Sequence, residues 1–111
     1  MNERIINLTP HAINIHTAEG DIIILPPSGN IARMASLSVP AAPLGPVPTV
    51  KTAFGEVVGL PDPEEGVVYV TSTPLAQRVA RPDVMSPDTG PSAIRNDKGQ
   101  VVAVRALQRF A

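Results

Sequence analysis

The residues best suited to chemistry in this chain lie near its carboxyl end. Ser86-Pro87-Asp88-Thr89-Gly90-Pro91 is followed by Arg95, Arg105 and Arg109. Two prolines stiffen that segment, and Gly90 allows a ligand to approach the backbone closely. Asp88 can accept a hydrogen bond from a ribose hydroxyl or an adenine amino group, and Thr89 can donate one to a phosphate oxygen. Arg105 and Arg109 share a side on either regular element, because odd positions coincide on a strand and i, i+4 positions coincide on a helix. Two like charges on one face repel unless an anion or a carboxylate lies between them. A phosphate-bearing ligand, held at a subunit junction, is one solution. Pairing with Glu56 or Glu65 from the acidic half of the chain is the other.

Other chemistries find less support. His11 and His16 are the only histidines. A shared metal would need help from Glu19 and Asp21, and the spacing matches no known ligand set. His16 reads as solvated and His11 as part of a turn, so no metal site is expected. No serine has a nucleophile-elbow setting, and the chain has no cysteine, which also excludes disulfides and thiolate zinc sites. No glycine-rich loop has the spacing that cradles a nucleotide phosphate in known folds. The expectation is a protein that is not an enzyme and carries no cofactor.

Composition agrees. The chain has 111 residues, 43% of them hydrophobic, with a formal net charge of -1. That suits one domain, 1–111, with a modest core, and it does not suit disorder. No apolar run is long enough to span a membrane, and the start at Met1-Asn2-Glu3-Arg4 does not read as a signal peptide. With no cysteine, the expected setting is cytoplasmic. Aromatics are limited to Phe54, Tyr69 and Phe110, too few for a stacking platform, so no nucleic-acid partner is expected. Charge is unevenly placed: residues 1–77 hold three basic and seven acidic side chains, and residues 78–111 hold six basic and three acidic. Five of those six cations are arginine, whose planar fork meets phosphate in a way lysine does not.

The elements that must position these residues are short. Thirteen prolines argue against a helical bundle. The pattern predicts a mainly β (α+β) fold: a small antiparallel or mixed sheet of short strands, with one short helix near 73–81. Ile5 to Leu8 reads as a strand. Ala12 to Thr17 alternates apolar and polar residues and forms a hairpin with Ile22 to Leu25 around Glu19-Gly20-Asp21. Ile31 to Ala35 is a further strand. Residues 39–48, with Pro40, Pro43, Pro46 and Pro48, read as a loop of polyproline character. Thr49 to Ala53 and Glu56 to Leu60 read as strands flanking Phe54-Gly55. Val67 to Thr71, rich in β-branched residues and apolar on both faces, is expected at the centre of the sheet. The helix is predicted with Thr73 as N-cap, Pro74 at its first position, and Arg78 and Arg81 in its last turn. Ser86 to Pro91 reads as a loop. Asp97-Lys98-Gly99 signals a hairpin, followed by one long element from Gln100 to Phe110.

Asn7-Leu8-Thr9-Pro10-His11, Pro26-Pro27-Ser28-Gly29, Ala32-Arg33 and the tail from Ser86 to Phe110 together resemble a family of small phage and prophage proteins, and within it, through the Asp88-Thr89 loop and the Arg105/Arg109 pair, the Thoeris anti-defence sponges. These trap the cyclic ADP-ribose-type signal made by bacterial immune TIR proteins. The resemblance implies a small β-rich protein that binds glycocyclic ADP-ribose without cleaving it, inside the infected bacterial host. It implies a homo-oligomer built from dimers, up to a hexamer. Arg33, Asp88, Thr89 and Arg95 are the residues it places at the ADP-ribose-type site. Arg105 and Arg109 are similar to a pair that, in some members, binds cyclic di- or trinucleotides between subunits. Asp88 departs from the asparagine-type residue of the family's matching loop, which affects base or ribose specificity. Sequestration requires binding alone, so no general acid or base is demanded. The alternative is a non-catalytic phage structural or protein-interaction module acting through the proline-rich segment 39–48.

Overall fold

The structure is a computed structural model and describes residues 4–111; the first three residues, on which the reading of the chain start partly rests, lie outside that range. The fold is mainly β, built of small sheets of short strands with one short helix. Its centre is a four-stranded sheet of β1 (Arg4–Asn7), β6 (Val67–Val70), β7 (Val84–Pro87) and β10 (Leu107–Arg109), in the order β1-β6-β7-β10. The first three run parallel, and β10 is antiparallel to β7. The crossover from β6 to β7 passes through α1 (Thr73–Val79). Three hairpins complete the chain: β2 (Ile13–His16) with β3 (Ile22–Leu25), β4 (Arg33–Leu44) with β5 (Val47–Val58), and β8 (Ile94–Arg95) with β9 (Val101–Ala103).

The expected central strand is β6, flanked by parallel partners on both sides. Its continuous apolar run follows from burial on both faces. Tyr69 enters a cluster with Leu8, Val67, Leu75, Ala76 and Val84, which packs α1 on the sheet. Val70 enters a second cluster with Ile13, Ile15 and Val104, which packs the β2–β3 hairpin on the opposite face.

The Asn7-Leu8-Thr9-Pro10-His11 segment near the start of the chain is explained by packing. Asn7, at the end of β1, is 2% exposed. Its amide nitrogen donates to the carbonyls of His11 at 2.8 Å and Leu25 at 3.0 Å. Its side-chain oxygen accepts from the Thr9 amide at 2.9 Å and the Thr9 hydroxyl at 2.6 Å. Asn7 thus holds the turn after β1 against the end of β3, and His11 takes part through its backbone.

The structure corrects several boundaries. The proline-rich segment 39–48 is not a polyproline loop. It belongs to β4 and β5, which form one antiparallel ribbon with Pro40 opposite Val50. In a two-stranded ribbon half of the N–H groups point outward and have no ladder partner, so proline is tolerated there. The tip, Leu44-Gly45-Pro46-Val47, has Gly45 at φ 57°; glycine followed by proline fits a type II′ hairpin turn. Residues 49–53 and 56–60 likewise merge into a single strand, β5, and the strand expected at 31–35 is the foot of β4. Gly59 follows the ribbon at φ 85°, where a Cβ would lie 2.5 Å from the Ile31 carbonyl oxygen; only glycine fits that crossing.

The helix begins one residue earlier than expected, with Ser72 as N-cap and no side-chain cap. Thr73 instead bonds Ser86 at 3.0 Å. The helix stops at Ala80, which adopts the left-handed conformation and bonds Ala76. Arg81 therefore lies beyond the helix. Ser86 and Pro87 belong to β7 rather than to a loop. The element from Gln100 to Phe110 is two strands with a bend at Arg105, because β9 pairs with β8 whereas β10 pairs with β7.

Candidate functional site

The loop after β7 is held by its own side chains. The Asp88 carboxylate accepts from the Gly90 amide at 3.1 Å and from the Ser92 hydroxyl at 3.4 Å. The Asp88 amide donates to the Ala106 carbonyl at 3.0 Å. Arg95, on β8, donates to the Gly99 carbonyl at 2.9 Å and the Thr89 carbonyl at 3.2 Å. Asp88, Thr89 and Arg95 are therefore brought together, as a loop clamp whose charged groups bond the loop and the adjoining hairpin turn. The exposed Thr89 also borders a mostly apolar depression of about 260 Å³ shared with Asn14, Pro87 and Val101 to Val104. Arg33 stands on another element, at the foot of the ribbon opposite Val58, and no hydrogen bond links it to the loop.

Arg105 and Arg109 fall on either side of a break. Arg105 is exposed in the bend after β9, and Arg109 is the last residue of β10, opposite Met85. The shared side that one continuous strand would have given them no longer follows from parity. Among the described residues the only ion pair within 4.0 Å is Arg81–Asp83. Neither Glu56 nor Glu65 neutralises Arg105 or Arg109.

Arg109 separates two depressions with different walls. One, about 270 Å³, has Glu64 and Asp83 on its wall with Val67, Val68 and Met85. The other, about 280 Å³, is lined by Ile5, Ile15, Val68, Met85 and Leu107, with Arg109 its single charged group. An anion with an apolar body fits the second and is repelled by the first. Both stand on the sheet, whose strands supply a rigid floor.

Arg81 and Asp83 form the chain's well-made charge pair. Arg81 Nε donates to Asp83 at 2.9 Å, and its Nη2 donates both to the other carboxylate oxygen and to the Pro61 carbonyl. Chiefly through that side-chain hydrogen bonding, the carboxyl is held below the ordinary aspartate range and the guanidinium above its own. This clamp ties the acidic turn at 61–66 to the start of β7.

Comparison with known families, with curated proteins and with solved structures finds no match. The case for function rests on the residues themselves. Among the described residues no group of three or more His, Asp or Glu is placed to hold a metal, and no helix is long and apolar enough to cross a membrane. The depression beside Arg109 escaped the sequence reading, because Ile5, Ile15 and Met85 reach it from three separate strands.

Proposed function

We propose that the protein is a phage-encoded anti-defence sponge that captures and sequesters cyclic nucleotide immune signals, cyclic di- or trinucleotides at Arg109 and glycocyclic ADP-ribose at a separate site, without cleaving them. The observation that carries this reading is Arg109, a guanidinium with no carboxylate within 4.0 Å among the described residues, at the rim of an otherwise apolar depression. A phosphate binds such a fork bidentately, and the apolar wall takes the remainder of the ligand. Strand-borne walls limit the ordering cost of binding. The depression is small for a whole nucleotide, so a second copy of the chain closes over it in the homo-oligomer. Arg105 stands in the bend before β10 and does not line this depression. Asp88, Thr89 and Arg95 shape the separate ADP-ribose-type site; Arg33, at the foot of the ribbon, is not linked to that loop.

Calorimetry with glycocyclic ADP-ribose and a panel of cyclic di- and trinucleotides is the direct test. Saturable heat is expected, with the ligand recovered intact after overnight incubation. Arg109→Ala should weaken cyclic dinucleotide binding by about tenfold or more. Absence of heat from every ligand at micromolar protein would remove the proposal. Native mass spectrometry checks the assembly and any co-purified nucleotide.

A second reading, a protein-interaction module, is favoured by the ribbon. Leu37, Leu44 and Val50 on it are 65%, 71% and 64% exposed. On this reading substitutions at residues 40–48 disrupt a partner complex, while arginine substitutions leave it intact.

A further inference from the structure

The β4–β5 ribbon has two free edges, and they differ. Among the described residues each strand has the other as its one neighbour in the sheet. Ser36 to Ala41 pair with Thr49 to Phe54 in unbroken antiparallel register. Pro40 has no N–H, so it takes an outward position in that ladder. Positions alternate along an antiparallel pair. Ser36, Ser38 and Pro40 therefore turn their backbone groups outward on β4, and Val50, Thr52 and Phe54 do so on β5. Pro48 shares their parity. The β4 edge is thus interrupted at Pro40, whereas the β5 edge offers an unbroken set of donors and acceptors at Val50, Thr52 and Phe54. That set ends on one side at Pro48. It ends on the other at a bulge, where Gly55 and Glu56 together face Ala35.

Two further observations point to another copy of the chain as the occupant. The chain exposes 7700 Å², against roughly 5,800 Å² for a compact monomer of 11.6 kDa. The difference exceeds the roughly 800 Å² that each partner gives to a standard interface. Between Arg33 and Val58 only Lys51 and Glu56 are charged, the depletion that marks interface centres.

We propose that the β5 edge pairs with the β5 edge of a second copy, antiparallel about a two-fold axis at Thr52, so that two ribbons form one four-stranded sheet. The two stops set the register. Thr52 faces the partner's Thr52, and Val50 faces the partner's Phe54. A shift by one residue sets outward groups against inward ones. A shift by two sets Phe54 against the partner's Pro48, or Val50 against the partner's Glu56 in its bulge. The centred register also matches side chains: threonine on threonine, and an aromatic on a β-branched residue, are stabilising cross-strand pairs. The Ser38 and Thr52 hydroxyls already bond at 3.2 Å, and the pairing continues that row of hydroxyls into the partner. Lys51 faces the partner's Ala53, so no like charges stand directly opposite. About six backbone hydrogen bonds form across the junction. Both β5 edges are consumed and the proline-interrupted β4 edges are left outside, so the assembly closes as a dimer rather than growing into a fibre. The junction joins edges, leaves both faces of the ribbon open, and needs neither Arg109 nor a nucleotide.

Sedimentation equilibrium of the full chain tests this. An even-numbered assembly that dissociates on dilution is expected. Thr52→Pro removes the central outward donor and spares the ladder within the ribbon, as Pro40 does on β4. It should halve the assembly's mass and raise the dissociation constant by more than about tenfold. Ser38→Pro, on the outer edge, should leave the mass unchanged. The chain has no cysteine, so Thr52→Cys gives one thiol per chain, facing its own copy across about 5.5 Å between Cα atoms. Thr52→Cys chains should form a disulfide-linked dimer in air well before Ser38→Cys chains do, which decides the matter even where Thr52→Pro lowers the urea midpoint of the isolated chain. A monomer at tens of micromolar, an undiminished mass in Thr52→Pro, an equal loss in Ser38→Pro, or equal cross-linking of the two cysteine variants would each overturn the proposal. None of these outcomes bears on calorimetry with nucleotides, so the two proposals fail separately.

Discussion

Strand β6 and the β4–β5 ribbon are made of similar residues and meet opposite fates. Both are rich in valine and other apolar side chains, and both are regular β-structure. On β6, Val67, Tyr69 and Val70 are at most 7% exposed. On the ribbon, Val39, Val50 and Phe54 are 43%, 64% and 51% exposed. The difference is one of layers. β6 has a helix on one face and a hairpin on the other, whereas the ribbon beyond its foot leaves the body of its own chain. The radius of gyration, 16.6 Å, exceeds the roughly 13 Å of a compact chain of this length. Apolar composition sets the wish to be buried, and only a second layer grants it. Folding free energy is therefore concentrated in the body, and the ribbon is held by backbone pairing and a few contacts at its foot.

The largest effect that sharpens this contrast is at Leu75. It is 1% exposed in the cluster between α1 and the sheet. Leu75→Ala should cost about 3 kcal/mol, read as a drop in the urea midpoint, because it removes buried methyl groups and leaves a cavity. Next comes Asn7→Ala, at about 2 kcal/mol. Its four hydrogen bonds sit where β1, the following turn and β3 meet, and truncation takes the Asn7 donor from the Leu25 carbonyl, whereas the His11 carbonyl keeps the Thr9 hydroxyl. A midpoint unchanged by either substitution would mean that the body is not the stabilising region.

The same contrast explains what was legible in the sequence. β6, the first hairpin, the turn at Asp97-Lys98-Gly99 and the helix after Ser72 are governed by local rules: period, turn chemistry and proline at a helix start. The ribbon was missed because its four prolines look like strand breakers, and their tolerance depends on lying in a free-standing two-stranded element. The Gly45-Pro46 turn was the available signal. Of the candidate site, the Asp88, Thr89 and Arg95 grouping was visible in the loop composition. Their use as a backbone clamp was not, because it depends on where the β8–β9 hairpin folds back. The break at Arg105 was hidden for a similar reason, since two sheets compete for one segment.

A smaller effect tests how the acidic turn joins the body. Asp83 is held below its unfolded pKa by Arg81, so its contribution to stability is present above the unfolded value, near 3.9, and is lost as pH falls through the folded value. Asp83→Asn should cost about 1 kcal/mol at neutral pH, given the two-point geometry and partial exposure of the pair. The cost should vanish in urea titrations run at successively lower pH, below about pH 4. A cost that persists at the acid end would assign it to packing rather than charge.

The smallest effect on the isolated chain belongs to the ribbon, and it is the most informative one. Leu37 is 65% exposed and faces Ala53 across the ribbon. Leu37→Ser should therefore change the stability of a dilute monomer by no more than about 0.5 kcal/mol. If copies of the chain cover the ribbon, the same substitution should lower the urea midpoint increasingly as protein concentration rises, because assembly contributes to stability by mass action. Comparing Leu37→Ser with Leu75→Ala across a hundredfold dilution series separates the two regions. The Leu75 penalty reflects packing within one chain and should hardly depend on concentration. A Leu37 penalty that is equally flat and near zero would leave the ribbon without a covering copy, and a large flat penalty would mean that it stabilises its own chain after all.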